Sequence, residues 1–342
     1  MLHKIFEVKP VIENFIKTVP DHVRLTETYK LKNSNGSRQG SHFPQSRAAN
    51  IDKFTVELHV ISDKAHQKAY KKNEQLIIYM AVMTNAVNLR FMDMVNPKIS
   101  FILVGVTRAK DHDFADSNGR NIDASKMYAG LKSYNKQGKI PGYHDVVYLA
   151  TGLDMFMVVK GAKKDGILGL ATEGGICAPN AVGEGEDTPH MYDGVRTMAH
   201  ELAHTLGSPH DETPECPWAD GYLMTNIEVG TNKHRISKCS EKKIREYVRK
   251  LSDDCIKVMN KQNYLEDHKR FPGQTIRDEY YCRKLTKQRG KKVKVIATKA
   301  PNCFLKCCYV FMGYRSCSKH EMLDGMTCGR GKTCQRGICG YQ

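Results

Sequence analysis

At 342 residues the chain is long enough for two domains, and its formal charge of +16 implies affinity for polyanions. The longest apolar run, Gln75–Met83, is too short to span a bilayer, so no transmembrane segment is expected. No nucleic-acid-binding motif is visible, which disfavours specific nucleic acid and leaves heparin-like glycans or anionic surfaces, or solubility alone, as the meaning of the charge.

All twelve cysteines fall from Cys177 onward and crowd toward the C-terminus. Such density in a basic chain points to an oxidising, extracellular compartment. Met1–Pro10 has no apolar core of signal-peptide length, so the expectation is a secreted protein whose signal peptide lies upstream of a truncated sequence.

Residues 1–50 are polar, broken by loop-forming stretches at Asn33–Ser37 and Ser41–Ser46, and read as a pro-segment remnant and linker. Asn35-Gly36-Ser37 is a glycosylation sequon. This segment holds no cysteine, so no thiolate within it can cap a metal to keep an enzyme latent.

Regular structure is expected from residue 54. Phe54, Val56, Leu58 and Val60 alternate with polar residues, the pattern of a strand with one buried face. A long helix is expected from Asp63 to about Leu89, with Leu76, Met80, Met83 and Val87 as its core stripe. Ile99–Thr107 and Val146–Ala150 are apolar enough for central strands, with a helix near 122–136 between them. Gly166–Ala171 is a short apolar strand just before the next helix. It is either an ordinary core strand or an edge strand offering unpaired backbone groups to an extended peptide.

The next helix, with Asp193 as its expected cap, carries His200-Glu201-Leu-Ala-His204-Thr-Leu-Gly207-Ser-Pro-His210. Residues four apart share a helix face, so His200 and His204 can reach one metal. Gly207 lets the helix end in a turn that brings His210 back as a third ligand. Three imidazoles leave a fourth position open, the pattern of a catalytic zinc site. Glu201, beside the first ligand, can then act on a metal-bound water as general base.

Beyond the motif, Ser240–Leu251 reads as an amphipathic helix capped by Ser240, and Cys255 closes the unit. After about 262 the composition changes. Eight cysteines from Cys282 to Cys339, without helical periodicity, read as a disulfide scaffold, with a zinc cluster as the weaker competitor. Arg283-Lys284 through Lys294 make its start its most basic part. Cys177, Cys216, Cys239 and Cys255 remain for the larger unit, so each set is even.

The stretch His200–Asp211, with Met224 downstream, resembles the metzincin clan of zinc endopeptidases, and Asp211 directly after the third histidine resembles its reprolysin (adamalysin) branch. Within about residues 54–260, Val56-Glu57-Leu58 is similar to the family's first strand and Tyr143–Asp154 to its central strand region. Leu168-Gly169-Leu170-Ala171 with Cys177 looks like its substrate-binding edge strand and following cysteine. Phe271–Gln274, Tyr281–Leu285 and Asp324–Cys334 resemble the cysteine-rich, disintegrin-like module of the ADAMTS proteases. A single protease unit with this one short module is most similar to the secreted salivary metalloproteases of ticks.

The resemblance implies an α/β metzincin-type protease domain at 51–260, with a mostly parallel twisted sheet, long helices and the zinc helix in the cleft. A small disulfide-rich, loop-rich, disintegrin-like module at 261–342 would follow. It implies one catalytic zinc on His200, His204 and His210, Glu201 as the base, a turn at Met224 beneath the metal, and substrate contacts at Gly169 and Leu170. It pairs Cys177 with Cys255 and Cys216 with Cys239. Some members bind calcium. Glu57 and Asp154 match part of that pattern, whereas Cys255-Ile-Lys-Val258 departs from the usual ligand-bearing tail. No Arg-Gly-Asp tripeptide occurs in the C-terminal module, so integrin binding through it is not expected. The expected activity is hydrolysis of internal bonds in extracellular matrix or plasma proteins. The alternatives are an inactive homologue that sequesters a ligand through its basic module, and a hydrolase of small peptides.

Overall fold

The computed structural model describes residues 22–24, 51–110, 113–286, 293–311 and 313–341. The pro-segment and linker expected over 1–50, apart from a strand at 22–24, and the basic run 287–292 lie outside the described residues.

A six-stranded sheet organises the larger unit. Its strands are β1 (His22–Arg24), β2 (Lys53–Ser62), β3 (Lys98–Arg108), β4 (Val146–Thr151), β5 (Gly169–Glu173) and β6 (Val182–Glu186), in the spatial order β1-β5-β6-β4-β2-β3. Neighbours run parallel except β5 and β6, whose antiparallel register sets Gly169 opposite Gly185. The packing helices are α1 (Asn73–Arg90), α2 (Ala124–Lys136), α3 (Val195–Thr205) and α4 (Lys238–Val248).

On one face, Phe54, Val56, Leu58 and Val60 of β2 pack with Leu76, Met80 and Met83 of α1 and with Met198 and Leu202 of α3. On the other, Val147 and Leu149 of β4 and Val182 of β6 pack with Met127 and Leu131 of α2. Burying each such large apolar side chain contributes about 1.5–3 kcal/mol. The sheet is therefore covered on both sides, as a mostly parallel sheet requires.

Several local expectations give way to tertiary packing. The polar positions of β2 are buried too, because β2 is central: Glu57 and His59 are enclosed and hydrogen-bonded, His59 Nε2 lying 2.8 Å from Thr107 Oγ1. The long helix is interrupted, a short turn at Lys64–Gln67 preceding α1. Asp193 does not cap α3. Its carboxylate accepts from Thr188 N at 2.7 Å, and Gly194 stands at the cap. Ser237, not Ser240, caps α4, accepting from Ser240 N at 3.0 Å.

The C-terminal part contains a helix that its sequence does not announce, α5 (Asp278–Leu285), held to the neighbouring sheet by Cys282–Cys307. That sheet is antiparallel: β7 (Lys294–Ala300), β8 (Phe304–Phe311) and β9 (Tyr314–Glu321). A second small sheet follows: β10 (Thr327–Gly329), β11 (Lys332–Gln335) and β12 (Ile338–Gly340). Cys303–Cys334, Cys308–Cys317 and Cys328–Cys339 complete the module's bonds, so its sulfurs are disulfides and not metal thiolates. Arg90 of α1 meets Asp324 at 2.6 Å with both side chains buried, and Arg336 meets Asp93 at 2.6 Å. These pairs join the module to the larger unit. Among the described residues, no helix is long and apolar enough to cross a membrane.

Candidate metal centre

His200 and His204 lie one turn apart on α3 and project from one face. Gly207 then takes φ +85°, and a Cβ there would come 2.6 Å from the Tyr247 ring, so both conformation and space demand glycine. The chain folds back and brings His210 to the other two.

Carbonyls fix the rings. His200 Nδ1 lies 2.6 Å from Leu223 O, and His204 Nδ1 lies 2.7 Å from Ser208 O. Each Nδ1 is thus the protonated donor, and each Nε2 keeps its lone pair for a metal. The Nε2 atoms of His200 and His204 are 3.1 Å apart, and those of His200 and His210 are 3.2 Å apart. Two bonds of about 2.0–2.1 Å to one tetrahedral zinc require an N–N separation of roughly 3.3 Å, so the three residues fit that ion. Trp218 packs edge-on against His210, with ring centres 5.4 Å apart.

Glu201 is buried on α3 against Gly169 of β5. Met224 is fully buried in the core that contains Met198 and Leu202 of α3. Arg196, one turn before His200, donates to the carbonyls on either side of Met224, those of Leu223 and Thr225. Asp211 ties the third-ligand loop to the start of α4. Its Oδ1 accepts from Ser237 Oγ at 2.6 Å and Ser240 Oγ at 2.8 Å, while its N–H donates to Met224 O at 3.0 Å. Burial pushes the Asp211 carboxyl above its ordinary value, against the pull of those two hydroxyls.

The expected substrate strand differs in two respects. β5 is not outermost: β1 pairs with it at Ala171–Glu173, beyond Gly169 and Leu170. The Leu170 side chain is 2 % exposed and sits in the core under α2, so only its backbone is left to meet a peptide.

The expected calcium pair is not brought together. Glu57 lies beside the start of β4, and Asp154 follows its end, where it faces Arg120 at 3.7 Å. Six strand residues separate them, about 20 Å. The Glu57 carboxylate instead accepts from Met259 N at 2.9 Å and from Asn260 N and Nδ2 at 2.6 and 2.7 Å. Its close acidic neighbour is Asp145, whose Oδ2 accepts from Glu57 N at 2.8 Å. Burial, with the Glu57 charge alongside, pushes the Asp145 carboxyl up to about 7. Cys177 is bonded to Cys255 and Cys216 to Cys239.

Sequence reasoning passed over Arg196, Trp218 and Asp145. Arg196 was open to discovery from its i−4 spacing to His200. Trp218, the chain's one tryptophan, and Asp145, an acid against an apolar strand, gave weaker signals.

The signature of the reprolysin (M12B) family zinc metalloproteases matches residues 53–260. An ADAMTS-like protein of Bombyx mori, "A disintegrin and metalloproteinase with thrombospondin motifs like", is 25% identical over 94% of this chain and 48% of its own length. The venom metalloproteinase antarease TserMP_A of Tityus serrulatus is 29% identical over 61% of this chain and 59% of its own length. The chain thus spans about half the length of these curated relatives. The family match covers the sheet, the histidine helix and the three converging imidazoles together, and by it the chain belongs to the reprolysin (M12B) family of zinc metalloproteases.

Proposed function

We propose that the chain is a secreted zinc metalloendopeptidase that hydrolyses internal peptide bonds of extracellular proteins. The convergence of the three Nε2 atoms of His200, His204 and His210 beside buried Glu201 carries this reading. Zinc bound there would supply Lewis-acid chemistry and a water whose pKa is lowered to about 7. His200, His204 and His210 would hold the ion, their tautomers set by Leu223 O and Ser208 O. Glu201 takes the proton of the attacking water and returns it to the leaving amine. The backbone of Gly169 and Leu170 aligns an extended peptide beside Glu201. The disulfides and the venom metalloproteinases among the relatives support a secreted enzyme.

The test is cleavage of a denatured protein substrate with and without a chelator, alongside Glu201→Ala. The wild type loses activity on chelation and regains it with zinc. Glu201→Ala binds zinc but falls by at least about 10²-fold in kcat. Chelator-insensitive cleavage, or an active Glu201→Ala with zinc bound, overturns the reading.

A specific observation favours polyanion binding as a second property. From Arg283 to His320 the chain has eleven Lys or Arg and no Asp or Glu. Lys306 and Lys319 lie directly opposite each other across β8 and β9, and by strand alternation Lys294 and Arg315 share their exposed face. Directly opposed like charges destabilise a sheet unless an anion lies between them. The reading is a sulfated extracellular glycan on this face. Retention on heparin that falls sharply in Lys306→Ser/Lys319→Ser supports it, and unchanged retention rejects it.

A further inference from the structure

A continuous polar chain runs from the C-terminal module to the carbonyl that orients the first histidine. Glu321, the last residue of β9, accepts from Lys233 Nζ at 2.8 Å through Oε2. The same Nζ donates to Glu228 Oε2 at 2.8 Å. Glu228 Oε1 lies 3.8 Å from Arg196 Nε. Arg196 in turn grips Leu223 O and Thr225 O around Met224, and Leu223 O is the acceptor of His200 Nδ1.

The segment between Met224 and Arg235 is therefore fastened at both ends. Arg196 holds its start from the zinc helix. Lys233 holds its end to the module and its middle through Glu228. Ile227 and Val229, flanking Glu228, are 40 % and 42 % exposed, and the Glu228 side chain is itself 52 % exposed, so this stretch lies at the surface and is held there through the Glu228 carboxylate. Burial alone would push Lys233 down and Glu228 up. Their pairing outweighs it and moves both the other way, so the bridge favours its charged form. The Lys233 side chain is 13 % exposed, which spares it much of the solvent screening that weakens surface pairs.

We infer that Lys233 and Glu321 are positioning residues through which the C-terminal module sets the conformation of residues 225–235 and thereby the substrate selectivity of the metal cleft. They touch neither metal nor reacting atoms. They act by holding the Ile227–Val229 rim against the zinc helix. The module is then part of the apparatus of selection and not only an appended binding unit. This inference rests on the endopeptidase reading.

The experiment uses the full chain. Glu321→Gln, Lys233→Met, the double variant and the conservative Lys233→Arg are compared with wild type for zinc content, melting temperature, and kcat and KM on a peptide library. Losing one partly buried charge-assisted bond raises KM on preferred peptides by about tenfold, with kcat within about threefold. The preference for particular side chains beside the scissile bond broadens. The double variant matches Lys233→Met, because removing Lys233 already cuts the links to both Glu321 and Glu228. Lys233→Arg restores most of the wild-type profile. Unchanged preferences in Glu321→Gln and Lys233→Met overturn the inference. So does a parallel fall of kcat, zinc content and melting temperature, which marks a merely structural contact. A wild type without chelator-sensitive hydrolysis instead removes the endopeptidase reading itself.

Discussion

A Cβ built on Gly169 would lie 2.5 Å from Glu201 Oε1 and 2.8 Å from Glu201 Cγ. Strand β5 and the carboxylate assigned to proton transfer are thus in direct backbone-to-side-chain contact, with no room for a methyl group between them. The same Cβ would meet Thr197 Cγ2 at 2.8 Å, so the helix closes the gap on a second side. Glycine serves here for closeness: its φ is ordinary, and its missing side chain lets the peptide strand run against the base.

Gly169→Ala is therefore expected to displace Glu201 without disturbing the three histidines. Mispositioning the general base costs about 10²-fold or more in kcat. Zinc content, measured by elemental analysis, stays near one per chain, because His200, His204 and His210 are oriented by Leu223 O and Ser208 O and not by β5. Full activity in Gly169→Ala would show that Glu201 tolerates the shift or does not act as the base.

Much of this was legible in the chain. The i,i+4 histidines, the glycine and the third histidine are local facts, because helix geometry and one turn decide where those rings point. The apolar periodicity of Leu76, Met80 and Met83 likewise fixes the core face of α1. What was not legible depends on long-range partners. Glu57 sits at a position that alternation reads as solvent-facing, yet β2 became central and Asn260, 203 residues away, reached its carboxylate. Asp154 seemed a companion to Glu57 only because the length of β4 between them is invisible in a motif. Ser240 looked like a cap because it precedes an amphipathic run, but Asp211 claims its hydroxyl and Ser237 takes the cap. Polar residues choose among competing acceptors, and the choice is made by tertiary structure.

The buried pair of Arg90 and Asp324 gives an asymmetric prediction. Asp324 also accepts from Arg336 N at 2.6 Å, so one carboxylate serves α1 and the module's last turn together. Asp324→Ala leaves the Arg90 guanidinium buried without its counter-charge and costs about 3–5 kcal/mol. Replacing both, as Arg90→Met with Asp324→Leu, recovers most of that loss, since two apolar side chains need no compensation. Denaturant titration of the two variants against wild type gives the comparison. Equal losses in the single and double variants would assign the role to the Arg336 contact instead.

Asp211 fastens the third-ligand loop to α4. Removing its carboxylate in Asp211→Ala strips the acceptor from Ser237 Oγ and Ser240 Oγ, both buried, at a cost of about 1–3 kcal/mol for each hydroxyl left unsatisfied. Asp211→Asn keeps an acceptor oxygen and is expected to retain most of the stability. Thermal melts of the two variants, with zinc saturating, separate these outcomes. If Asn is as damaging as Ala, the negative charge near the histidines matters more than the hydroxyl network.

Asp145 makes stability depend on pH in a direction opposite to that of a salt-bridged carboxylate. Its folded-state pKa is raised to about 7, by burial first and by the neighbouring Glu57 charge. In the unfolded chain it returns to about 3.9. Between those values the folded protein holds one proton more than the unfolded, so raising the pH favours unfolding. Its contribution is fully present below about pH 4 and is lost as pH rises through about 7. Glu186, raised to about 7, and Asp193, raised to about 6, both chiefly by burial, slope the same way. The melting temperature should therefore fall from mildly acidic to mildly alkaline buffer, and Asp145→Asn should remove one share of that fall while leaving the rest. A divalent cation held between Glu57 and Asp145 would favour their charged forms and reverse the sign of that share. Melts in millimolar calcium against chelator, over the same pH range, decide between proton and cation. A slope unchanged by Asp145→Asn in either buffer would mean that this carboxyl is ionised in the folded protein after all.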